Sequence, residues 1–314
     1  MNITLRQLRY FVALCETGNF GRAAESMHVS QPALSVQIRE LEGQTGTQLV
    51  ERQPRAIVLT SAGHDMLRHA RKVLAEVGDL EHSARWQRGL GGRLNFGVIP
   101  TVAPYLLPVA LPMLRDAHPG LELGVREART ERLLDDLAEG RLDAVVLAVP
   151  TGEEGLIATP VFEDRFVLAT AKGQQAQVAG REETLRPAQL DPDRLLLLEE
   201  GHCLSDQALE VCALTRTQTR LDLGASSLGT LCGLVSEGFG VTLLPEISLP
   251  TELNAARGLS ALRFAGNEPR RTIGVVRRAS SRDDGWFSDL ADLIGQAGAR
   301  LLADARAILP AEAA

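Results

Sequence analysis

The sequence predicts an α+β protein in which a winged helix-turn-helix and a long linker helix precede an α/β domain. Three observations support this fold class. Apolar residues recur at helical spacing in the first 60 residues, one long helical stretch follows, and strands alternate with helices after residue 93. With 314 residues and 45% apolar content, the chain can bury the cores of two or three domains.

The N-terminal segment is predicted to form three helices with a tight second turn. Apolar residues recur at spacings of three and four in the first helix, and Gly18-Asn19 then ends it and supplies the N-cap of a short second helix. Ser30 can cap a third helix over residues 31–45, whose second residue is a proline. This order of helices is typical of a helix-turn-helix.

One face of the third helix is polar, because Gln31, Ser35 and Arg39 lie at i, i+4 and i+8. Such side chains can hydrogen-bond base edges in a major groove, although a solvated face is the simpler alternative. The next segment favours DNA binding. Residues 48–59 are predicted to form a hairpin with Arg52 and Arg55 at its tip, a wing that can reach phosphates or the minor groove.

The net charge of -7 is unevenly distributed along the chain. Residues 1–90 carry 11 Lys and Arg against 9 Asp and Glu, whereas the remainder carries 22 against 31. Only the first part is therefore suited to phosphate backbones. No secretion signal is recognisable, and no apolar run approaches the roughly 18 residues that span a bilayer, so we expect a cytoplasmic protein with no membrane partner.

A long amphipathic helix is predicted to begin at Thr60-Ser61-Ala62-Gly63 and to run to about residue 88. Its apolar stripe passes through Leu67, Leu74 and Val77, and on an exposed helix such a stripe needs a partner, most simply a second copy of the chain. Gly89-Leu90-Gly91-Gly92 would end the helix as a hinge.

Strands alternate with helices from residue 93 onward. The helices are predicted over 102–117 and 130–139, and the strands over 94–99, 121–127, 144–148, 166–169, 195–198, 220–223, 241–244 and 272–276. Strands joined by crossover helices imply a mostly parallel sheet covered on both faces. Ligands bind such folds at the carboxyl ends of strands, often between two lobes.

The sequence predicts no metal site and no cofactor. It has no Cys-x-x-Cys or paired Cys/His spacing for zinc, and no phosphate-binding loop, nucleophile elbow or haem motif. Cys15 and Cys232 lie in apolar helical patterns and are expected in cores. Cys203 and Cys212 lie nine positions apart, but spacing alone proves little.

The run from Ala23 to Glu42 and the segment from Leu49 to Gly63 resemble the helix-turn-helix and wing of LysR-type transcriptional regulators. The resemblance continues to about residue 302 and implies a two-lobed α/β effector domain similar to periplasmic-binding proteins. It also implies a homo-oligomer, from dimer to tetramer, with double-stranded promoter DNA and RNA polymerase as partners. The residues that would contact DNA are Gln31, Pro32, Ser35, Arg39, Arg52 and Arg55.

By this resemblance, the DNA-binding domain covers residues 1–60, and the linker helix with its hinge covers 61–92. Lobe I of the effector domain is expected over 93–164 and 268–304, lobe II with the redox cysteines over 165–267, and a tail over 305–314.

Other stretches resemble the hydrogen peroxide-sensing branch of this family: 97–108, 127–130, 200–208, 240–245 and 268–274. By this resemblance, Cys203 is oxidised by peroxide, Cys212 resolves it as a disulfide, and a reductant of the thioredoxin or glutaredoxin type restores the thiols. The residues expected to surround the peroxide or support the sulfur are Thr101, Thr130, His202 and Asp206. Ser205 departs from the pattern, because an arginine often stands there.

The expected chemistry requires a thiolate, which His202 and the N-terminus of a helix near Leu204 would favour. On one helix, the Cα atoms of Cys203 and Cys212 would lie about 13 Å apart, whereas a disulfide requires less than about 7 Å. Forming the bond would therefore refold the segment, which supplies a switch.

Several alternatives stay open at this stage. Cys203 could be a buried structural cysteine, or Cys212 could pack in a core and leave Cys203 to signal alone as a sulfenic acid. Thr101 and Thr130 could be helix N-caps. The chain could also be a regulator that binds a small organic effector between its lobes. A thiol peroxidase is disfavoured by the DNA-binding segment, so we expect no enzyme.

Overall fold

The computed structural model describes residues 3–52, 57–85, 90, 92–175, 185–218, 225–281 and 283–310. The chain divides into two compact units, one consisting mainly of Met1–Arg85 and the other of Trp86–Asp135, Leu142–Ala279 and Asp283–Ala314. Among the described residues, no helix is both long and apolar enough to cross a membrane.

The first unit contains the predicted helix-turn-helix and wing. Its elements are α1 (Leu5–Thr17), α2 (Phe20–Ser26), α3 (Gln31–Thr45), β1 (Val50–Arg52), β2 (Ile57–Leu59) and α4 (Ser61–Arg85). The predicted caps are confirmed: Gly18 ends α1 with φ +65°, Asn19 accepts hydrogen bonds from the first turn of α2, and Ser30 accepts one from the N–H of Ala33. Local sequence signals therefore determine where each helix begins and ends.

The core of this unit is formed by apolar residues of all three helices, including Phe11, Leu14, Leu34 and Ile38, which are fully buried. The wing is attached by side chains as well as by strand pairing. Glu42 of α3 accepts hydrogen bonds from the N–H groups of Leu49, at 2.8 Å, and of Val50, at 3.2 Å.

The start of α4 explains the Thr-Ser-Ala-Gly sequence. The hydroxyl of Thr60 donates to the carbonyl of Gln48 at 2.7 Å and accepts from the N–H of Gly63 at 3.0 Å. A Cβ on Gly63 would lie 2.1 Å from the carbonyl oxygen of Leu49, so only glycine allows this approach.

The apolar surface of α4 differs in part from the predicted stripe. Leu67 packs against the core of the helix-turn-helix, and Leu74 and Val77 are half-buried. Val73 and Leu80 are instead 44% and 71% exposed. The surface that needs a partner is therefore rotated away from Leu67, which the unit's own core already covers.

The second unit is α/β. It contains β3 (Arg93–Val98), α5 (Ala103–Ala117), β4 (Glu122–Glu127), α6 (Thr130–Ala138), β5 (Ala144–Val149), β6 (Leu156–Ala171), α7 (Cys203–Val211), α8 (Leu228–Ser236), β7 (Thr242–Pro245), α9 (Leu249–Ala255), β8 (Leu259–Leu262), β9 (Arg270–Arg278) and α10 (Trp286–Ile308). Its sheet has the order β4-β3-β5-β9-β6-β7, and β8 also pairs with β6.

The prediction of a mostly parallel sheet is wrong for much of this unit. β3 pairs in parallel with β4 and β5, as crossover helices require, but β9 runs antiparallel to β5 and β6, and β7 and β8 run antiparallel to β6. The predicted strand over 195–198 forms only two isolated parallel bridges, Leu195 to Val241 and Leu198 to Ala225. The predicted strand over 220–223 lies outside the described residues.

The length of β6 accounts for this difference. Residues 156–165 of β6 pair with β9, whereas residues 166–171 pair with β7 and β8. One strand thus serves two lobes: lobe I is built on β3, β4 and β5, and lobe II on β7 and β8. A crossover strand of this kind has no signature in local periodicity, because each half reads as an ordinary short strand.

The close approach at Gly63 yields a stability prediction. Gly63→Ala should lower the free energy of unfolding by about 1–3 kcal/mol, because the new methyl group meets backbone that cannot move aside. Gly78→Ala in the same helix has nothing within 4 Å of the new carbon and should instead stabilise by roughly 0.5–1 kcal/mol. Urea unfolding followed by circular dichroism tests both variants, and equal effects would contradict the packing argument.

Candidate redox site and DNA-reading helix

Cys203 and Cys212 lie at the two ends of α7, and both are free thiols. Cys203 is the first helical residue and is half-buried, whereas Cys212 caps the C-terminus and is 3% exposed. Their nine helical rises correspond to a Cα separation of about 13 Å, beyond the roughly 7 Å limit for a disulfide. In this conformation the two sulfurs cannot bond.

Buried contacts hold α7 in place. Leu204 and Ala208 face the core, and the hydroxyl of Ser205, which is 1% exposed, donates to the carbonyl of Leu198 at 2.8 Å. Ser205 therefore anchors the first turn of α7 to the segment before it. An arginine at this position would have to leave that buried site.

A cavity of about 190 Å³, lined by both polar and apolar side chains, lies beside the N-terminus of α7. Its wall includes Thr101, Tyr105, His202, Ser227 and Glu252, contributed by both lobes. Cys203 itself is not part of the wall but follows His202 directly. The fold therefore brings together Thr101 and His202, two of the four residues predicted to surround a peroxide.

Thr101, just beyond the end of β3, is held by Arg271 of β9. The guanidinium donates to the Thr101 hydroxyl at 2.8 Å and to its carbonyl at 3.2 Å. It also donates twice to Asp164 of β6, at 3.0 and 2.9 Å, and Asp164 accepts from the N–H of Ile247. All four groups are buried, so this network fixes the position of Thr101 in the cavity wall.

His202 is the N-cap residue of α7 and is 5% exposed. Burial lowers the pKa of its imidazole, the positive charge of Arg129 lowers it further, and Glu199 opposes both effects. The ring is therefore neutral at pH 7, and its buried Nδ1 has no hydrogen-bond partner among the described residues. A neutral imidazole with an open nitrogen can exchange a hydrogen bond with a small polar molecule.

A second hydrogen bond joins the lobes across the cavity. The hydroxyl of Tyr105 on α5 donates to the carboxylate of Glu252 on α9 at 2.7 Å. Burial and the neighbouring carboxylate raise the pKa of Tyr105, so the phenol stays protonated and remains a donor. Cys232 beside Glu252 is fully buried, and burial likewise raises the pKa of its thiol.

The other two predicted peroxide residues lie outside the cavity wall. Thr130 is the first residue of α6, and its buried hydroxyl has no hydrogen-bond partner among the described residues. The side chain of Asp206 in the first turn of α7 is 71% exposed and faces Arg216 at 3.6 Å. The geometry gives Asp206 a surface ion pair rather than a position against the cavity.

Four residues at this site were not predicted from the sequence: Tyr105, Asp164, Glu252 and Arg271. No local signal marks Asp164 and Arg271, because other charged residues stand beside them: Glu163 and Arg165 on β6, and Arg270 on β9. Nothing in the sequence identifies Tyr105 and Glu252 as partners, because they lie 147 positions apart.

The polar face of α3 has the predicted residues in unequal positions. Gln31, Pro32 and Arg39 are exposed, whereas Ser35 is only 9% exposed. The Nε of Arg39 donates to the carbonyl of Ser35 at 3.3 Å, which aligns the arginine along the helix. Arg55 and the side chain of Arg52 lie outside the described residues.

Two family models match the chain. The bacterial regulatory helix-turn-helix of the lysR family matches residues 5–64, and the LysR substrate binding domain matches residues 87–299. A curated relative described as a hydrogen peroxide-inducible genes activator, from Dickeya chrysanthemi, is 41% identical over 293 residues, which are 93% of this chain and 95% of that protein.

Two solved structures are similar over nearly the whole chain. A full-length OxyR variant from Pseudomonas aeruginosa is 34% identical, with 94% and 95% of the two chains covered and a TM-score of 0.76. A cysteine-to-serine variant of OxyR from Corynebacterium glutamicum with hydrogen peroxide bound is 34% identical, with 100% and 99% covered and a TM-score of 0.68.

The environments of the thiols predict their order of reaction. Burial raises the pKa of Cys212 to about 11 and that of Cys15 to about 12, so at pH 8 only about one Cys212 in a thousand is a thiolate. Iodoacetamide should therefore modify half-buried Cys203 first, and peptide mass spectrometry after timed quenching measures this. In guanidinium the four cysteines should react alike. Equal labelling of Cys203 and Cys212 in the folded protein would refute the assignment.

Proposed function

The chain belongs to the LysR family of bacterial regulatory helix-turn-helix proteins, and on that basis we propose that it is a peroxide-sensing, DNA-binding transcriptional regulator of the OxyR type. One observation carries this proposal: a single helix has a half-buried thiol at its N-terminus, next to a cavity that His202 and Thr101 line, and a buried thiol at its C-terminus. Oxidation of the first thiol and its resolution by the second would change the shape of lobe II.

The first step oxidises Cys203. Its thiolate attacks one oxygen of hydrogen peroxide, the O–O bond breaks, Cys203 becomes a sulfenic acid, and the departing hydroxide takes a proton to leave as water. The backbone N–H groups at the start of α7 favour the anionic sulfur. Thr101 and neutral His202 can orient the peroxide by hydrogen bonds.

The second step joins the two cysteines. The Cys212 sulfur attacks the sulfenic sulfur of Cys203, and water leaves as the disulfide forms. Because the Cα atoms are about 13 Å apart on the intact helix, α7 must unwind. Ala213, immediately after Cys212, has φ +53°, an unfavourable backbone conformation for alanine, so this end of the helix is the easier one to open.

The size of the cavity favours peroxide over an organic effector. Pockets for small organic ligands usually enclose about 300–1,000 Å³, whereas this cavity has about 190 Å³. Hydrogen peroxide is little larger than water, whose share of liquid volume is about 30 Å³. Its oxygens can both donate and accept hydrogen bonds, which suits the hydroxyl, imidazole and carboxylate groups of the wall.

DNA recognition would use α3 and the wing. The exposed residues Gln31, Pro32 and Arg39 would meet base edges, and buried Ser35 would support Arg39 more than reach DNA itself. Arg52 and Arg55 would contact phosphates or the minor groove from the wing. Repacking of lobe II would then alter how the bound regulator engages RNA polymerase, and a thioredoxin or glutaredoxin type of dithiol would reduce the disulfide.

A homo-oligomer, from dimer to tetramer, would form in part through α4. An apolar groove of about 560 Å³ in the first unit is lined by Leu5, Leu8, Met66, Ala70 and Val73. Together with exposed Leu80, it offers the surface that a second copy of α4 could cover.

Substituting the two cysteines should separate the two chemical steps. Cys203→Ser should abolish the transcriptional response to peroxide while preserving DNA binding, because a serine hydroxyl cannot attack the O–O bond as a thiolate does. Cys212→Ser should still form a sulfenic acid at Cys203, which then persists or overoxidises. Thiol-trapping mass spectrometry at substoichiometric peroxide distinguishes these states, with Cys15→Ser as a control that should behave like the parent protein.

A Cys203 that reacts with peroxide no faster than an unfolded cysteine peptide would rule out the sensor. A full transcriptional response in Cys212→Ser would instead show a sensor that signals through Cys203 alone.

Gln31→Ala should reduce discrimination between an operator and its single-base variants by roughly 1–3 kcal/mol, because an amide that reads a base edge is lost. Gln37→Ala provides the matched control, since Gln37 lies on the same helix but its amide donates to Glu40 at 2.8 Å. Fluorescence anisotropy titrations against both DNA sets measure the difference. Unchanged discrimination in Gln31→Ala would contradict the proposed docking of α3.

A further inference from the structure

Arg129, in the loop between β4 and α6, lies against the turn that leads into α7. A Cβ built on Gly201 would be 3.2 Å from the Nη1 of Arg129 and 3.3 Å from the Cδ of Arg129, so the arginine side chain covers the backbone of Gly201. Gly201 has φ +89°, which favours glycine and keeps this face open. A lobe I side chain thus reaches within two residues of Cys203.

The partner of Arg129 lies on the same turn. Its Nη2 is 3.1 Å from the carboxylate of Glu199, and both side chains are about half exposed, at 45% and 48%. An exposed pair of this kind contributes little to stability, between about 0 and 1 kcal/mol. Because the ion pair lies close to Cys203, its charges can instead affect the reactivity of that thiol.

Arg129 acts electrostatically on the residue that precedes Cys203. The charge of Arg129 lowers the pKa of His202 more than Glu199 raises it, so the guanidinium outweighs that carboxylate at the imidazole. The neighbouring charged groups do not replace it. Asp206 is an anion paired with Arg216, and the charge of Arg271 is matched by buried Asp164. His202 is neutral.

We propose that Arg129 is a positioning residue for the peroxide reaction, supplying from lobe I the positive charge that stabilises the thiolate of Cys203 and the negative charge that develops as the O–O bond breaks. This inference rests on the proposed function. Ser205 is buried and bonded to Leu198, so position 205 carries no charge to do this. The cation instead comes from Arg129, which lies against the turn at Gly201.

The test uses variants of the full-length protein to separate the effect of the Arg129 charge from that of its ion pair with Glu199. Arg129→Gln should slow peroxide oxidation of Cys203 roughly three- to tenfold, because the positive charge beside the sulfur is lost. Arg129→Lys keeps the charge and should retain most of the rate. Glu199→Gln removes the opposing carboxylate and should accelerate the reaction. Arg115→Gln is the control, because Arg115 is a 76% exposed arginine of lobe I on α5.

Stopped-flow measurement of thiol loss gives these rates, and iodoacetamide alkylation of Cys203 in the same variants gives an independent measure of the thiolate. Opposite effects of Arg129→Gln and Glu199→Gln in both assays support the inference. If both variants slow the reactions equally, the pair acts as a clamp and the inference is wrong. It is also wrong if Arg129→Gln matches the parent protein.

The two assays separate this inference from the proposed function. Slow oxidation of the parent protein by peroxide, with alkylation still dependent on Arg129, would overturn the sensor and leave the charge effect standing. Fast oxidation that is insensitive to Arg129 would overturn only the role of Arg129.

Discussion

The buried ion pair between Asp164 and Arg271 is the contact on which the second unit depends. The two residues lie opposite each other on β6 and β9, just before β6 changes from the sheet of lobe I to that of lobe II. Arg271 reaches on to Thr101, and Asp164 accepts from the N–H of Ile247. Four separate segments of the chain thus meet at one pair of charges.

Such a pair is kept for geometry more than for stability. Desolvating two charges costs nearly as much as their attraction returns, but removing one partner leaves an unpaired buried charge and costs about 3–5 kcal/mol. The pair therefore permits one arrangement of the crossing strands and penalises others. Because the hydroxyl of Thr101 belongs to the same network, the strand crossing also positions this part of the cavity wall.

Two further polar contacts join the lobes near the start of α7. Tyr105 bonds to Glu252 on one side of the cavity, and half-exposed Arg129 pairs with Glu199 beside Gly201. The helix α7 is joined to lobe II by Ser205 and by its apolar face, and Ala213, just after its C-cap Cys212, has an unfavourable backbone conformation. A buried ion pair at the strand crossing and a short helix with an unfavourable residue after its C-cap are a suitable arrangement for a local refolding event that leaves the rest of the domain intact.

The sequence by itself determined the elements whose signals are local. Gly18, Asn19 and Ser30 place the helix ends, the Thr60 to Gly63 run places the start of α4, and the spacing of Cys203 and Cys212 already implied that one intact helix keeps them apart. Caps and periodicity act over a few residues, so a single sequence displays them.

Only the tertiary structure decided which residues far apart in the sequence contact each other. It turned the expected parallel sheet into one crossed by β6, buried Ser205, exposed Asp206 and brought Arg129 to Gly201. It also paired Tyr105 with Glu252 and Asp164 with Arg271, residues separated by more than 100 positions. Such contacts depend on the path of the whole chain, which no local pattern encodes.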